Sequence, residues 1–159
     1  MKKVLIMRGL PGMGKTTKVK SILESNPNAK VVSADFFFGG DNTEEYKKNF
    51  DVNLLKDAHN ACFEEFLKHL KNNVSLIIVD NTNINKIQYE KYVISCQSYG
   101  YEFEFVYPDN QLAKEVLYLI KQKEELLNQV RVKISELYDR NLHGVPLDRI
   151  MDMFIRFEL

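Results

Sequence analysis

An α/β fold built on a parallel sheet is what this 159-residue chain predicts, and three observations carry that expectation. Four short runs rich in β-branched, aliphatic or aromatic residues are spaced along the first two thirds: Lys3 to Met7, Lys30 to Ser33, Leu76 to Val79 and Glu102 to Tyr107. Between them lie segments with helical spacing and helix-start signals, and strands that alternate with helices pair most economically in parallel. Third, Gly9 to Thr16 read G-L-P-G-M-G-K-T, a complete Walker A loop placed where it belongs, directly after a strand and before a helix.

The elements follow in order. The helix after the loop is expected from Gly14 to about Ser25, stopping before Pro27. After Gly39-Gly40, the segment Asn42-Thr43-Glu44-Glu45 has the form of a capping box. Asp51 is then placed to cap a longer helix carrying Leu54, Leu55, Ala58, Cys62, Phe66 and Leu70 on one face. Asn85 and Gln88 start a further helix with Tyr89, Val93 and Cys96 as its stripe, and Gly100 suits the position just past its end. From Leu112 to about Asp139 no glycine or proline interrupts the chain, and Leu112, Val116, Leu119, Leu126, Val130, Ile134 and Leu137 recur at three- or four-residue steps. That pattern means one long helix or two stacked ones, with Lys121, Lys123, Glu124 and Glu125 on a solvated face. A last helix should begin near Pro146 and turn Ile150, Met153, Phe154 and Phe157 inward.

Composition bounds the class. An apolar fraction of 45% and a charged fraction of 28% suit a single globular domain over residues 1–159. No run approaches a membrane span, and the apolar stretch after Met1-Lys2-Lys3 is cut by Arg8, so a cytoplasmic protein is expected. Two cysteines in different helical patterns, Cys62 and Cys96, read as reduced core thiols. Lys plus Arg equals Asp plus Glu at 22 each, which excludes a broad basic footprint; a polynucleotide partner would need a small local patch.

The loop specifies its ligand. Glycines at positions 9, 12 and 14 let the backbone approach a triphosphate with its amides at a helix N-terminus. Gly9, Leu10, Pro11, Gly12, Met13, Gly14, Lys15, Thr16 and Thr17 are therefore the expected nucleotide-binding residues. Within them Lys15 reaches the β and γ phosphates, and Thr16 supplies a hydroxyl for Mg²⁺. Asp80 ends the apolar run Leu76 to Val79 as a Walker B carboxylate and is the second metal candidate, followed by the polar cluster Asn81-Thr82-Asn83.

Phosphoryl transfer also needs a base and a cation. Asp35, just past the second strand run, is the candidate base; otherwise it is a turn residue. Phe36, Phe37 and Phe38 after it either wall or stack on an acceptor or belong to the core. Among five arginines Arg140 is the best placed, at the end of the long helix and the start of R-N-L-H-G-V-P, a segment with the glycine and proline of a hinged lid. The alternative for Arg140 is a cation favouring a helix end. His143 in that segment is a candidate nucleotide contact, while His59 and His69 read as ordinary structural or surface residues.

On these motifs, R-G-L-P-G-M-G-K-T, S-A-D (Ser33 to Asp35), A-H-N-A-C (Ala58 to Cys62), V-D-N-T-N (Val79 to Asn83) and R-N-L-H-G-V-P (Arg140 to Pro146), the chain resembles the P-loop kinase domain of phage-type polynucleotide 5′-hydroxyl kinases. It resembles equally the related AAA-type ATPase modules of NEDD4-binding and cyclic-nucleotide-phosphodiesterase-like proteins. The resemblance implies a three-layer P-loop kinase-like fold with a mainly four-stranded parallel sheet and a helical lid region at about 109–145. It implies Asp35 as base for a 5′-hydroxyl and Arg140 as a lid residue on the phosphates. The expected activity is ATP- and Mg²⁺-dependent transfer of a γ-phosphate to a hydroxyl, first of all the 5′-hydroxyl of a single-stranded or end-exposed nucleic acid. A nucleoside or sugar kinase, and a nucleotide-gated module that hydrolyses slowly, are the alternatives. Two departures from the family stand out: Glu136 sits one turn before Arg140, where relatives carry a basic residue and where it could pair with Arg140, and no basic residue follows Asp35 closely.

Overall fold

The computed structural model describes residues 1–159. Four strands, β1 (Lys3–Met7), β2 (Lys30–Val32), β3 (Leu76–Val79) and β4 (Glu102–Val106), form one parallel sheet in the order β2-β3-β1-β4. Register runs from Lys3 opposite Leu76 to Ile6 opposite Val79, and from Lys3 opposite Glu102 to Met7 opposite Val106. The two central strands are covered on both faces, which is why their sequences are unbroken apolar runs.

Side chains alternate between two cores. Val4, Ile6, Val32, Ile77 and Val79 pack against α3 (Leu55–Lys71) and α4 (Lys86–Ser98) through Ala58, Cys62, Phe66, Leu70, Tyr92 and Cys96. Leu5, Met7 and Ile78 face α1 (Lys15–Ser25) through Val19, Ile22 and Leu23. The result is three layers, with helices on either side of the sheet. Both cysteines are free and buried. No helix is long and apolar enough to cross a membrane.

Local signals are realised closely. Asn42 caps α2 (Thr43–Asn49) by accepting from the Glu45 N–H at 3.1 Å, and Asn85 caps α4 by accepting from the Gln88 N–H at 3.1 Å. Gly100 takes φ +71 just past α4. Asp51 caps a short 3-10 turn, Val52–Leu54, that feeds into α3, so the cap lies one turn ahead of the helix proper.

The chain divides into two compact units, Met1–Ala113 and Lys114–Leu159. α5 (Gln111–Arg140) is one unbroken helix that begins in the first unit and makes up most of the second. Along its apolar stripe Ile134 is buried and Val116 and Val130 half-buried, while Leu112, Leu119, Leu126 and Leu137 are exposed. Asn141 shapes the connector that follows: its amide donates to the carbonyls of Tyr138 (2.9 Å) and Val145 (3.3 Å), and its Oδ1 accepts from the Val145 N–H (2.9 Å). α6 (Leu147–Arg156) starts with Pro146 as its cap, as the sequence predicts. The expectation that its apolar residues turn inward is overturned: Met153, Phe154 and Phe157 are exposed and Ile150 only half-buried. Amphipathic spacing specifies a helix but does not say that this chain supplies what covers its apolar face.

Candidate active site

β1 delivers the phosphate loop to the carboxyl edge of the sheet, where neighbouring strands hold it in place. The Arg8 N–H donates to the Val106 carbonyl (2.8 Å) and the Gly9 N–H to the Thr82 carbonyl (3.0 Å), so strand ends flank the loop on both sides. Gly12 and Gly14 adopt φ +85 and +94. At Gly14 a Cβ would also come within 2.7 Å of the Asn110 amide nitrogen. That amide donates to the Met13 carbonyl at 2.7 Å while its Oδ1 accepts from the Ala113 N–H at 2.9 Å, tying the loop to the first turn of α5. Arg8 is clamped: it donates to the carbonyls of Asn83 (2.8 Å) and Ile84 (3.1 Å) and to the Tyr107 hydroxyl (2.9 Å), and lies over the rings of Tyr89 and Phe105. Its role is to hold the loop's entry.

The Lys15 ammonium donates back to the carbonyls of Gly9 (3.0 Å) and Leu10 (3.2 Å). Burial lowers its pKa, against which the Asp80 and Asp35 carboxylates act to keep it charged. Asp80 shows the converse. Burial pushes its carboxyl up, the Lys15 ammonium pulls it back, and Asp35 and Asp41 push it further up. One half-buried cation thus stands in the field of two carboxylates from different segments.

Those segments are joined by Asn81. Its Oδ1 accepts from the Ala34 N–H at 2.9 Å, the first residue of the 3-10 turn Ala34–Phe38 that carries Asp35. Its amide reaches the Cys62 thiol and the Tyr92 hydroxyl, each at 3.5 Å, and those two lie 3.4 Å apart. Ser33 caps the same turn by accepting from the Asp35 N–H at 3.2 Å. Asn83, buried and at φ +45, donates to the Met7 carbonyl at 2.8 Å. The V-D-N-T-N motif therefore fixes backbone as much as it faces a ligand.

A cavity of about 610 Å³ brings these parts together, with walls drawn wholly from the first unit. It is lined by Pro11, Gly12, Gly14, Lys15 and Thr16 of the loop and Asp80, Asn81 and Thr82 after β3, together with Ala34, Asp35, Phe38, Tyr46, Leu55 and His59. Gly9, Leu10, Met13 and Thr17 are not among the lining residues, and Met13 is a core side chain. The phenylalanine triplet divides: Phe38 is buried and lines this cavity, while the half-exposed Phe36 and Phe37 line a smaller cleft beside β2. Arg140 and His143 belong to the second unit and are exposed, and Glu136 pairs with Lys133 at 3.3 Å rather than with Arg140.

Three cavity or loop residues have no site role that the sequence assigns. Tyr46 faces Asp35: burial raises its phenol pKa, and the Asp35 charge and a hydrogen bond to that carboxylate raise it further. His59, which the sequence leaves as an ordinary residue, lines the cavity; burial and then the Lys91 charge lower its pKa, and Asp35 opposes them. Asn110 is the third. Each meets the site through packing of distant elements, which no local spacing records.

No cluster of three or more His, Cys, Asp or Glu side chains is present that could hold a metal alone. Thr16 and Asp80 line one cavity and offer hard oxygens, a donor set suited to an ion such as Mg²⁺ that keeps several waters and arrives with phosphates. Loop, lysine and carboxylates on a three-layer parallel fold define a P-loop kinase-like domain. Residues 4–133 match the AAA domain family, and the chain belongs to that family. It is 29% identical over 157 residues to human NEDD4-binding protein 2, covering 98% of this chain and 8% of that protein. It is 29% identical over 113 residues to the 2′,3′-cyclic-nucleotide 3′-phosphodiesterase of Rattus norvegicus, covering 67% of this chain and 24% of that one. A solved structure of the Pnkp1/Rnl/Hen1 RNA repair complex superposes with a TM-score of 0.52 at 18% identity, covering 99% of this chain and 46% of its own. The chain thus spans only a small part of the length of the curated relatives it matches.

Proposed function

We propose that this domain transfers the γ-phosphoryl group of ATP to a hydroxyl acceptor, with the 5′-hydroxyl end of a polynucleotide as the acceptor it serves. The observation that carries the reading is one cavity lined both by the P-loop lysine and by a carboxylate on a separately anchored turn: Lys15 and Asp35. In the transfer, the acceptor oxygen bonds to the γ-phosphorus as the bond from that phosphorus to the β–γ bridging oxygen breaks. The nucleoside diphosphate departs with the electron pair, and the acceptor proton passes to Asp35. Thr16 and Asp80 would hold Mg²⁺, which neutralises charge on the phosphate oxygens when bound. Loop amides and Lys15 orient the donor. Arg140 serves as the lid cation and His143 as a nucleotide contact in this reading.

The polynucleotide acceptor is supported by similarity to a protein of an RNA repair complex. A small uncharged acceptor is the second reading, and a specific observation favours it: Lys15 is the one lysine or arginine among the cavity's lining residues. ATP labelled at its γ-phosphate, offered with 5′-hydroxyl oligonucleotides, free nucleosides or no acceptor, separates the readings. Label in the oligonucleotide, lost in Asp35→Asn and Lys15→Ala, is expected; label only in free phosphate, unchanged by Asp35→Asn, would refute phosphotransfer.

A further inference from the structure

The cavity lining that comes from outside the phosphate loop and the segment after β3 has a composition of its own. Asp35 and Phe38 come from the 3-10 turn, Tyr46 from α2, and Leu55 and His59 from one face of α3, four residues apart. None of these lining residues is a lysine or arginine. What this lining offers is a phenol hydroxyl, an imidazole with one donor and one acceptor nitrogen, a carboxylate, and the apolar surfaces of Phe38 and Leu55. Hydrogen-bonding groups of both senses beside an apolar wall match a sugar ring, whose hydroxyls both donate and accept and whose C–H face is apolar.

The groups are also held in place. Tyr46 packs edge-on to Phe38 at 5.7 Å and stacks on Phe50 at 5.6 Å. Gly39, at φ +126, lets the turn approach α2 closely: a Cβ there would lie 3.1 Å from the Tyr46 backbone nitrogen and 2.9 Å from Glu45 Cγ. A preorganised wall of this kind discriminates by the hydrogen bonds that a wrong ligand leaves unmade.

We propose that these residues form a ribose subsite, in which Tyr46 and His59 hold the ring whose 5′-hydroxyl is presented to Asp35 and hydrogen-bond its 2′-hydroxyl, so that the acceptor is read as ribo rather than deoxy. The inference rests on the phosphotransfer reading for which hydroxyl is presented, yet it concerns binding and is tested as binding. A 610 Å³ cavity that also receives the donor's phosphates accommodates one ring at this position, with the rest of any strand lying outside.

The test is calorimetric titration of the whole chain, saturated with Mg²⁺ and a non-hydrolysable ATP analogue, against a 5′-hydroxyl RNA trinucleotide, its DNA counterpart, adenosine and 2′-deoxyadenosine. Ribo ligands should bind about tenfold or more tightly than deoxy ones. Tyr46→Phe, which keeps the aromatic packing, and His59→Ala should each shrink that ratio without changing analogue affinity. Trinucleotide against nucleoside tells a strand end from a free sugar as the source of the ring. Equal affinity for ribo and deoxy ligands in the unaltered protein, or an undiminished ratio in both variants, would overturn the subsite. Discrimination in binding with no labelled product from any acceptor would leave the subsite standing and remove the kinase reading instead.

Discussion

Asp80 and Asn81 are neighbours in the chain with opposite assignments. Asp80 carries a charge that the fold tolerates poorly: its carboxyl is raised chiefly by burial, so its contribution to stability is full below the unfolded carboxyl's pKa and is lost as pH rises through the folded one. Asp80→Asn should therefore raise the ligand-free melting temperature at pH 7, the gain vanishing on acidification through the carboxylate range, while Mg²⁺-dependent turnover falls. Thermal melts across pH, beside an activity assay, check both. Asn81 spends its side chain on the protein, holding the Ala34 N–H and so the turn that bears Asp35. Asn81→Ala is expected to cut kcat by about 100-fold, the cost of displacing a reacting group by roughly an ångström, with the KM for ATP little changed. Steady-state kinetics with both substrates would show the split. The sequence makes Lys15, Thr16, Asp35 and Asp80 legible because each is fixed by a short motif at a strand end. It assigns no site role to Tyr46, or to His59 within A-H-N-A-C, because α2 and α3 bring them to Asp35 only through packing.

Elements were readable wherever a local rule dictates them. Four apolar runs became the four strands, and Asn42 and Asn85 cap the helices that their side chains announce. What was not readable is the partner of an apolar stripe: periodicity forecasts α5 and α6 as helices, yet Leu119, Leu126, Phe154 and Phe157 remain exposed. The junction of the phosphate loop with α5 was equally hidden, since Asn110 is an ordinary loop residue until its amide is found on Met13. Gly14→Ala tests that junction. A left-handed conformation costs a β-carbon about 1–2 kcal/mol, and here the new atom also meets the Asn110 amide at 2.7 Å. Denaturant unfolding should show at least that loss, and ATP affinity should fall with it because the loop must open to admit the methyl group. An unchanged midpoint would mean that the loop and α5 are not tied as described.

At the scale of the whole molecule, charge sets how a polyanion can be held. Equal numbers of acidic and basic residues, with Lys15 the one lysine or arginine lining the cavity, mean few phosphates neutralised on binding. Affinity for a 5′-hydroxyl oligonucleotide should fall with log salt at a slope no steeper than about −2, as single-strand counterion release of some 0.7 per contact gives for two or three contacts. Fluorescence anisotropy over a salt series measures it, and a much steeper slope would reveal a basic track outside the cavity. The strand order has a different consequence. The first strand does not pair with the next one in sequence: β1 waits for β3 and β4, and β2 pairs only with β3, more than 40 residues on. During synthesis, the apolar run Val4 to Met7 emerges from the ribosome long before any edge exists to receive it. Distant closures of this kind make folding slow and leave sticky intermediates. A nascent chain halted before Val79 would hold every residue of the phosphate loop and still be unable to form its site, and it would be a natural client for a chaperone.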